Sequence, residues 1–251
     1  MTINLQGKVA LVTGGTSGLG EAVCRQFAAE GVNLAINYNK SKEKAGVLVK
    51  ELILKFKIKA VSFQADSTDG EGIDNLVESV LKEFGKLDIV ISNVGWTKIV
   101  PYDDLDALDD ELWDGCFNAN VKSHFKLFKS TKRYLEQNKE GGTFIVTASV
   151  AGRIVYGSSI PYAVSKAALI HLVRMLAKTQ GPSIRIHAVC PGLLLTEWGK
   201  QFSPERIEST KSRSPLHVLA DVDESASHFL QLSKLSTSTG TIVGIDAGIS
   251  I

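Results

Sequence analysis

Short apolar runs alternate with longer amphipathic stretches along the whole chain, and this alternation limits the possible folds more than any other feature. Residues 8–13 (KVALVT) form a continuous β-prone run closed by glycines, which is typical of a strand buried on both faces. Residues 21–30 carry apolar side chains at helical spacing and stop at Gly31, a residue suited to a helix C-cap. The repeated order predicts an α/β fold with a doubly wound parallel sheet.

The same periods predict the other elements. Further strands are expected at residues 32–37, 60–65, 87–92, 142–148, 184–189 and 241–246. Further helices are expected at 42–56, 69–84, 111–137 as one long helix, and 161–179. Residues 193–218 hold Pro204 and Pro215 between weak helical patterns and are interpreted as a substrate lid, because such long loops are usually functional. No linker is recognisable, so we expect one domain over residues 1–251.

Composition and charge argue against several classes of protein. Lysine and arginine number 28 against 27 acidic residues, and this balance does not favour a nucleic-acid or membrane-surface partner. Cys24, Cys116 and Cys190 are widely spaced and form neither a disulfide framework nor a metal motif, which fits a reducing compartment. No apolar run approaches the ~18 residues of a membrane helix, and residues 1–7 do not resemble a signal peptide. We therefore expect a cytoplasmic globular protein without a metal.

A glycine-rich turn, residues 13–20 (TGGTSGLG), lies between the first predicted strand and the first helix. Glycines there permit a tight turn, and a helix N-terminus offers free N–H groups and a positive dipole end to a pyrophosphate. The spacing G-x-x-x-G-x-G differs from the standard G-x-G-x-x-G, and a plain strand–helix turn remains the alternative. The candidate phosphate-binding residues are Gly14, Thr16, Ser17, Gly18, Leu19 and Gly20.

Further motifs follow this turn in a fixed order. They are Ser92-Asn93-Val94-Gly95, Asn120 within Asn-Ala-Asn-Val, Ser149, Tyr162-Ala-Val-Ser-Lys166, and Pro191-Gly192 with Thr196. With T-G-x-x-x-G-x-G, their order and spacing over nearly the whole chain resemble the classical short-chain dehydrogenase/reductase family. The resemblance implies a Rossmann-type fold and hydride transfer between a nicotinamide cofactor and a carbonyl or secondary alcohol. Ser92 and Val94 depart from the family's N-N-A-G, which makes the placement of that loop less certain.

The resemblance also implies four catalytic residues. Tyr162 would be the general acid in reduction and the general base in oxidation, while Ser149 orients and polarises the carbonyl. Lys166 would lower the pKa of Tyr162 and hydrogen-bond the nicotinamide ribose. Asn120 would complete a proton relay to solvent by ordering a water through its backbone or side chain.

The residues themselves support part of this chemistry. Tyr162 and Lys166 lie four residues apart and share one helix face, where an ammonium would favour the phenolate and lower a pKa that is ordinarily ~10. Ser149 follows a buried strand, at the edge where ligands sit in open α/β sheets, and its hydroxyl can stabilise charge on a substrate oxygen. The alternatives are a surface Tyr–Lys pair, a serine that merely ends its strand and, at Asn120, a satisfied buried amide.

Further residues are implied to bind the cofactor. Asn93 and Gly95 would lie near the adenosine ribose, and Thr196 would hold the nicotinamide carboxamide. Asp66, before Ser67, would contact the adenine amino group; its alternative is an N-cap for the helix at 69–84. The complete predicted set is Gly14, Thr16, Ser17, Gly18, Leu19, Gly20, Asn39, Lys40, Ser41, Asp66, Ser67, Asn93, Gly95, Tyr162, Lys166, Pro191, Gly192, Leu194 and Thr196.

The end of the second strand favours NADP(H) over NAD(H). NAD-selective folds normally place an acidic residue there, but this chain has Tyr38 and no acid before Glu43. Asn39, Lys40 and Ser41 can instead donate to a 2′-phosphate. The alternative is that Lys40 and Lys42 only solvate a loop, and Thr16-Ser17 stands where many NADP-dependent relatives carry an arginine.

The predicted substrate pocket is apolar, which suits a hydrophobic or aromatic ketone. Its candidate residues are Val150, Val155, Tyr156, Leu193, Leu194, Trp198 and Trp96. Arg153 could pair with an anionic substituent or could be a surface arginine. The sequence does not identify the substrate, because proteins with this kind of fold catalyse many different reactions.

Two other functions stay open at this point. One is an NADP(H)-binding regulatory or scaffold protein without turnover, although such a protein would be expected to lose Tyr162 or Lys166. The other is an NADP(H)-dependent isomerase or dehydratase on the same fold. The resemblance further implies a homodimer or homotetramer through the helices at 111–137 and 161–179, whereas residues 242–251 could equally pack on their own sheet edge.

Overall fold

The computed structural model describes residues 2–251, and over that range the chain forms one sheet of seven parallel strands. The strands are β1 Val9–Val12, β2 Asn33–Tyr38, β3 Ala60–Gln64, β4 Ile89–Ser92, β5 Gly142–Thr147, β6 Ile184–Pro191 and β7 Ile242–Ile245. Their order is β3-β2-β1-β4-β5-β6-β7, so the direction of winding reverses between β1 and β4. Leu11 of β1 pairs with Ala35 on one side and Val90 on the other. The predicted doubly wound, Rossmann-type parallel sheet is confirmed.

Helices cover both faces of the sheet. They are α1 Gly18–Ala29, α2 Lys42–Phe56, α3 Gly70–Phe84, α4 Asp110–Phe117, α5 Ser123–Leu135, α6 Ile160–Gln180, α7 Pro204–Arg213 and α8 Val222–Lys234. The core against α1, α2 and α8 receives Ala10 and Val12, and the core against α3, α5 and α6 receives Val9 and Leu11. This alternation along β1 is the two-residue period of a strand buried on both faces.

The long helix expected at 111–137 is interrupted. A π-helical turn, Asn118–Lys122, separates α4 from α5 while the chain remains helical on both sides of it. Single π turns inside helices are frequently found at functional sites, and this one carries Asn120. The expectation of one uninterrupted α-helix at 111–137 is therefore wrong at Asn118–Lys122.

Two other regions contain helices that the sequence does not predict. The lid segment, by which we mean residues 193–218, contains a short 3₁₀ turn at Gly199–Gln201 followed by α7. Helix α8 was not predicted, although Asp221 caps it by accepting a hydrogen bond from Glu224 N at 2.9 Å. At the C-terminus, β7 pairs in parallel with β6, so this stretch does pack on its own sheet edge.

Helix α6 is long and, by length and mean composition alone, apolar enough to cross a membrane, although it carries charged residues such as Lys166. In this fold α6 contributes Leu169, Ile170 and Val173 to the core beside α3 and α5, and it also carries Tyr162 and Lys166. Its apolar composition therefore has a local explanation, since the helix is one of those that cover the sheet.

Candidate active site

The turn between β1 and α1 is shaped for close approach of a ligand to the backbone. Gly14 and Gly18 have positive φ angles of 60° and 51°, which favour glycine. A Cβ on Gly20 would lie 2.3 Å from the carbonyl oxygen of Gly14 and 2.8 Å from Asn93 Nδ2. The first turn of α1 leaves backbone N–H groups without helical partners, which makes its N-terminus a suitable site for a phosphate.

Asn93 holds this turn against the neighbouring strands. Its backbone N–H donates to Thr13 Oγ1 at 2.9 Å, and its Nδ2 donates to the carbonyl oxygen of Thr13 at 3.2 Å. Its Oδ1 accepts from Thr147 Oγ1 at 2.9 Å. Asn93 therefore joins the carboxyl ends of β1, β4 and β5, which is where ligands bind in open α/β sheets.

A cavity of about 330 Å³ opens at this edge of the sheet and brings most of the predicted site together. The predicted residues that line it are Gly14, Ser17, Gly18, Leu19, Asn93, Gly95, Ser149, Tyr162, Lys166, Pro191, Gly192, Leu194 and Thr196. Thr196 closes one side, since a Cβ on Gly18 would meet Thr196 Cγ2 at 3.0 Å. The glycine-rich turn and the tyrosine–lysine pair therefore share one cavity.

Tyr162 and Lys166 project from α6 into this cavity, and both are strongly affected by burial. Burial raises the pKa of Tyr162 to about 12, while a hydrogen-bonding interaction with Ser149 opposes that rise. Burial also lowers the pKa of Lys166 to about 8. The pKa of Tyr162 is therefore shifted in the direction opposite to the expected one, because desolvation of the phenol dominates.

Lys166 has a defined position despite its burial. Its Nζ donates to the carbonyl oxygen of Thr147 at 2.8 Å and lies 5.7 Å from the ring centroid of Tyr162. Ser149 Oγ accepts from the N–H of Ala151 at 3.1 Å and thereby starts a 3₁₀ turn. The serine, the phenol and the ammonium group are held by β5 and α6, two elements that pack within the same core.

Asn120 lies beneath this group and not in the cavity. Its Oδ1 accepts from Trp96 N at 2.8 Å, and its Nδ2 donates to the carbonyl oxygen of Trp96 at 2.9 Å and to Ser165 Oγ at 3.0 Å. These bonds engage both ends of the amide, so the satisfied buried amide is confirmed. The expected relay through Asn120, by its backbone or its side chain, stays a prediction.

Asp66, predicted for the adenine, lies near Asn39 and Lys40 outside the cavity, whereas Asn93 and Gly95, predicted for the adenosine ribose, line the cavity. Asp66 accepts from Thr68 N at 2.9 Å and from Thr68 Oγ1 at 2.7 Å. These bonds, with contributions from Asn39 and the charge of Lys40, lower the pKa of Asp66. The alternative that Asp66 caps α3 is wrong, because Asp69 is the N-cap and accepts from Gly72 N at 3.0 Å.

Several other predicted cofactor residues do not line the cavity. Asn39, Lys40 and Ser41 are exposed after β2, and Ser41 immediately precedes α2. Thr16, Gly20 and Ser67 are buried and do not line the cavity. Because Gly20 has no side chain, the first turn of α1 can approach the carbonyl oxygen of Gly14 closely.

The substrate side of the cavity differs in part from the prediction. Tyr156, Leu193, Leu194 and Trp198 line it, and the Trp198 ring meets Tyr162 edge-on at a centroid distance of 6.2 Å. Three expected residues do not line it: Val150 is buried in the core, Val155 is 92% exposed and Trp96 packs against Gly115. Arg153 is exposed and lies beside Gly244, away from the lining.

The structure adds lining residues that the sequence does not predict individually, among them Gly157, Glu197, Phe202 and Arg206. Phe202 and Arg206 bracket the start of α7, where Ser203 accepts from Arg206 N at 3.3 Å. The sequence Ser203-Pro204 is a recognisable helix start, and it could have placed Arg206 in the first turn of a lid helix.

A buried pair that the motifs do not predict lies behind the cavity: Ser92 Oγ and His124 Nδ1 are 2.7 Å apart. Burial, together with the charge of Lys166, lowers the pKa of His124 to about 3, so the imidazole is neutral at ordinary pH. The pair fixes the start of the loop that carries Asn93 and Gly95.

Fold and site together define a dinucleotide-binding oxidoreductase, and comparisons with known proteins give the family. Residues 8–207 match the family model described as short chain dehydrogenase. The 3-oxoacyl-[acyl-carrier-protein] reductase FabG of Thermotoga maritima is 33% identical over 99% of this chain and 100% of its own. The chain therefore belongs to the short-chain dehydrogenase family.

Two solved structures agree with this assignment. A short chain dehydrogenase from Burkholderia cenocepacia in complex with NADP has a TM-score of 0.91 and 32% identity, covering 99% of this chain and 100% of its own. The NADPH-dependent 3-quinuclidinone reductase of Rhodotorula rubra has a TM-score of 0.90 and 30% identity, covering 98% of this chain and 92% of its own. Enzymes of this family use a nicotinamide cofactor. The glycine-rich turn between β1 and α1, called the glycine cradle below, fits the pyrophosphate of that cofactor.

Gly20→Ala is expected to disrupt dinucleotide binding, because the new Cβ would collide with Gly14 O and Asn93 Nδ2. Titration of the protein with NADPH, followed by cofactor fluorescence, should show affinity lowered at least about tenfold. Gly46→Ala in α2 is the matched control, since its Cβ would meet nothing within 4 Å. Equal affinities in the two folded variants would contradict the assigned cradle.

Proposed function

We propose that this protein is an NADP(H)-dependent carbonyl reductase for hydrophobic or aromatic ketones, with Tyr162 as general acid. The observation that carries the proposal is the buried phenol of Tyr162 in the same cavity as the glycine cradle, beside Ser149 and Lys166. Relatives whose names describe ketone reduction, with 3-oxoacyl and 3-quinuclidinone substrates, support the reaction type.

Cofactor binding follows from the residues around the cradle. The first turn of α1, with Ser17, Gly18 and Leu19, would bind the pyrophosphate, and Thr196 would bind the carboxamide. Lys166 would bond the nicotinamide ribose, and Asp66 the adenine. When bound, the reduced cofactor supplies the hydride that is transferred to the carbonyl carbon.

The chain's own residues then handle the oxygen and its proton. Tyr162, held protonated by its raised pKa, would donate its proton to the carbonyl oxygen as negative charge develops there. Ser149 would donate a second hydrogen bond to that oxygen and orient it. Lys166, fixed on Thr147 O, would place a positive charge near the phenolate that forms. The ketone and the reduced cofactor thus yield an alcohol and the oxidised cofactor, with one proton consumed.

The lid segment would form the substrate side. Two hydrogen bonds tie α7 to the chain between Ser149 and Tyr162: Tyr156 Oη lies 2.8 Å from Thr210 Oγ1, and Arg206 Nη2 donates to the carbonyl oxygen of Gly157. Trp198 and Leu193 supply apolar surface beside Tyr162. Such a lid would exclude water during transfer. Assembly into a homodimer or homotetramer and a cytoplasmic location stay predictions.

The preference for NADP(H) rests on the exposed residues after β2. Asn39 and Lys40 lie beside Asp66, and no carboxylate occupies the position at which NAD-selective folds hold the ribose. Lys40 could pair with a 2′-phosphate there. The solved relatives described with NADP and with NADPH support the same preference.

Turnover should depend on the Tyr162 hydroxyl. A panel of aryl ketones with NADPH, followed at the absorbance band of the cofactor, should identify reduced substrates. Tyr162→Phe should then lower kcat by a factor of about 100 or more, because the proton donor is lost. Tyr134→Phe removes a phenol hydroxyl on α5, far from the cavity, and should leave kcat unchanged. Near wild-type turnover by Tyr162→Phe would contradict the proposal that Tyr162 is the general acid.

The pH dependence of reduction should follow Lys166. Tyr162, with its pKa raised to about 12, stays protonated at neutral pH, whereas Lys166, with its pKa lowered to about 8, loses its charge as the pH rises through that value. The kcat/KM for ketone reduction should therefore fall above about pH 8. Lys166→Arg keeps a charge and should move the fall to higher pH, while exposed Lys178→Arg should not. A flat wild-type profile across this range would contradict the assignment.

Cofactor selectivity should depend on Lys40. We expect a higher kcat/KM for NADPH than for NADH in the wild type, and Lys40→Gln should lower this ratio about tenfold because a phosphate partner is lost. Lys50→Gln removes an exposed lysine on α2 and should not change the ratio. Asn39→Asp should shift the preference toward NADH. A wild-type preference for NADH would overturn this part of the proposal.

A further inference from the structure

Arg206 is a charged side chain on the lid that faces the substrate cavity. It lies in the first turn of α7, is half-buried, and lines the same cavity as Ser149 and Tyr162. Its guanidinium carbon lies 5.0 Å from the ring centroid of Phe202, and its Nη2 donates to the carbonyl oxygen of Gly157. Contacts with a ring and a carbonyl fix the guanidinium plane before any substrate arrives.

This guanidinium is not neutralised by the protein. Among residues 2–251 no carboxylate lies within 4.0 Å of Arg206, and the hydrogen bond to Gly157 accounts for one of its five N–H donors. The other charged groups in the lining are Lys166, which is bonded to Thr147 O, and Glu197, which is exposed. Arg206 therefore presents free donors and a positive charge to the cavity.

The position of Arg206 is close to the proposed catalytic phenol. A Cβ on Gly157 would lie 3.3 Å from Tyr162 Cδ1 and 3.5 Å from the Tyr102 hydroxyl, so all three side chains surround Gly157. The Tyr102 hydroxyl is buried and, within the described chain, lacks a hydrogen-bond partner. A polar corner thus adjoins a cavity whose other walls include Leu193, Leu194 and Trp198.

We propose that Arg206 is a specificity-determining residue that binds a carboxylate on the substrate, so that the preferred substrate is a keto acid with an apolar or aromatic body. A planar guanidinium with free parallel donors matches a carboxylate, and such charge-assisted pairs are stronger than neutral hydrogen bonds. A latch to the Gly157 carbonyl alone would need one neutral donor and not a cation. This inference rests on the proposed ketone reduction and names the class of its substrate.

The kinetic test compares acids with their neutral esters. Aryl keto acids with two to four methylenes between ketone and carboxylate, and their methyl esters, are assayed with NADPH. In the wild type we expect kcat/KM to be at least about tenfold higher for the best acid than for its ester. Arg206→Gln should remove that ratio and Arg206→Lys should keep part of it, while Lys211→Gln, on the exposed side of α7, should leave it unchanged. The ratio cancels any general effect of a loosened lid.

A binding test needs no turnover. Trp198 is edge-on to Tyr162 in the cavity, so its fluorescence can be followed as 4-phenylbutanoate or 4-phenylbutanamide is added with NADP⁺ present. We expect the carboxylate to bind at least about tenfold more tightly than the amide in the wild type, and to lose this advantage in Arg206→Gln. Trp198→Phe should abolish the signal and so identify its source.

The outcomes separate this inference from the proposed reduction. Equal kcat/KM for acid and ester in the wild type, or an unchanged ratio in Arg206→Gln, would overturn the role of Arg206 while leaving ketone reduction intact. Arg206-dependent binding of the carboxylate without reduction of any ketone would support the anion site and count against the proposed reaction. Equal binding of carboxylate and amide would overturn the anion site whatever the enzyme reduces.

Discussion

The hydrogen bonds of Asn93 to Thr13 and Thr147 are the constraint on which the site depends. They join the carboxyl ends of three adjacent strands, and each of those ends begins a functional segment: the glycine-rich turn, the loop to Gly95, and Ser149. A shift of one strand end would move the glycine cradle away from Ser149 and Tyr162, which are proposed to act on the carbonyl. The buried Ser92–His124 pair supports the same loop from below.

Much of this arrangement was predictable from the sequence, for definite physical reasons. All seven strands were expected because their apolar runs have the two-sided burial of a parallel sheet, as β1 shows. Gly14, Gly18, Tyr162 and Lys166 were placed in one site because the ends of parallel strands and the helices that follow them meet at one edge. The spacing of these motifs along the chain was therefore enough to predict that their residues lie close together in the fold.

Other features depend on packing that spacing does not encode. Val155 and Trp96 are apolar and lie near the motifs, yet the first points to solvent and the second packs on Gly115. The side chain of Asn120 bonds to Trp96 and Ser165, and Ser92 pairs with His124, so these arrangements involve contacts between distant segments. The degree of burial is also a tertiary property, and it reversed the expected direction of the Tyr162 pKa shift.

Burial of the Tyr162–Lys166 pair also has a consequence for how the site would be reset between turnovers. A phenolate left behind after proton donation would be a much stronger base than the amine of Lys166, since burial moves the pKa of the first to about 12 and of the second to about 8. Proton transfer from the Lys166 ammonium to the phenolate is therefore favoured. The lysine would then have to regain a proton from bulk water although its side chain is almost fully buried.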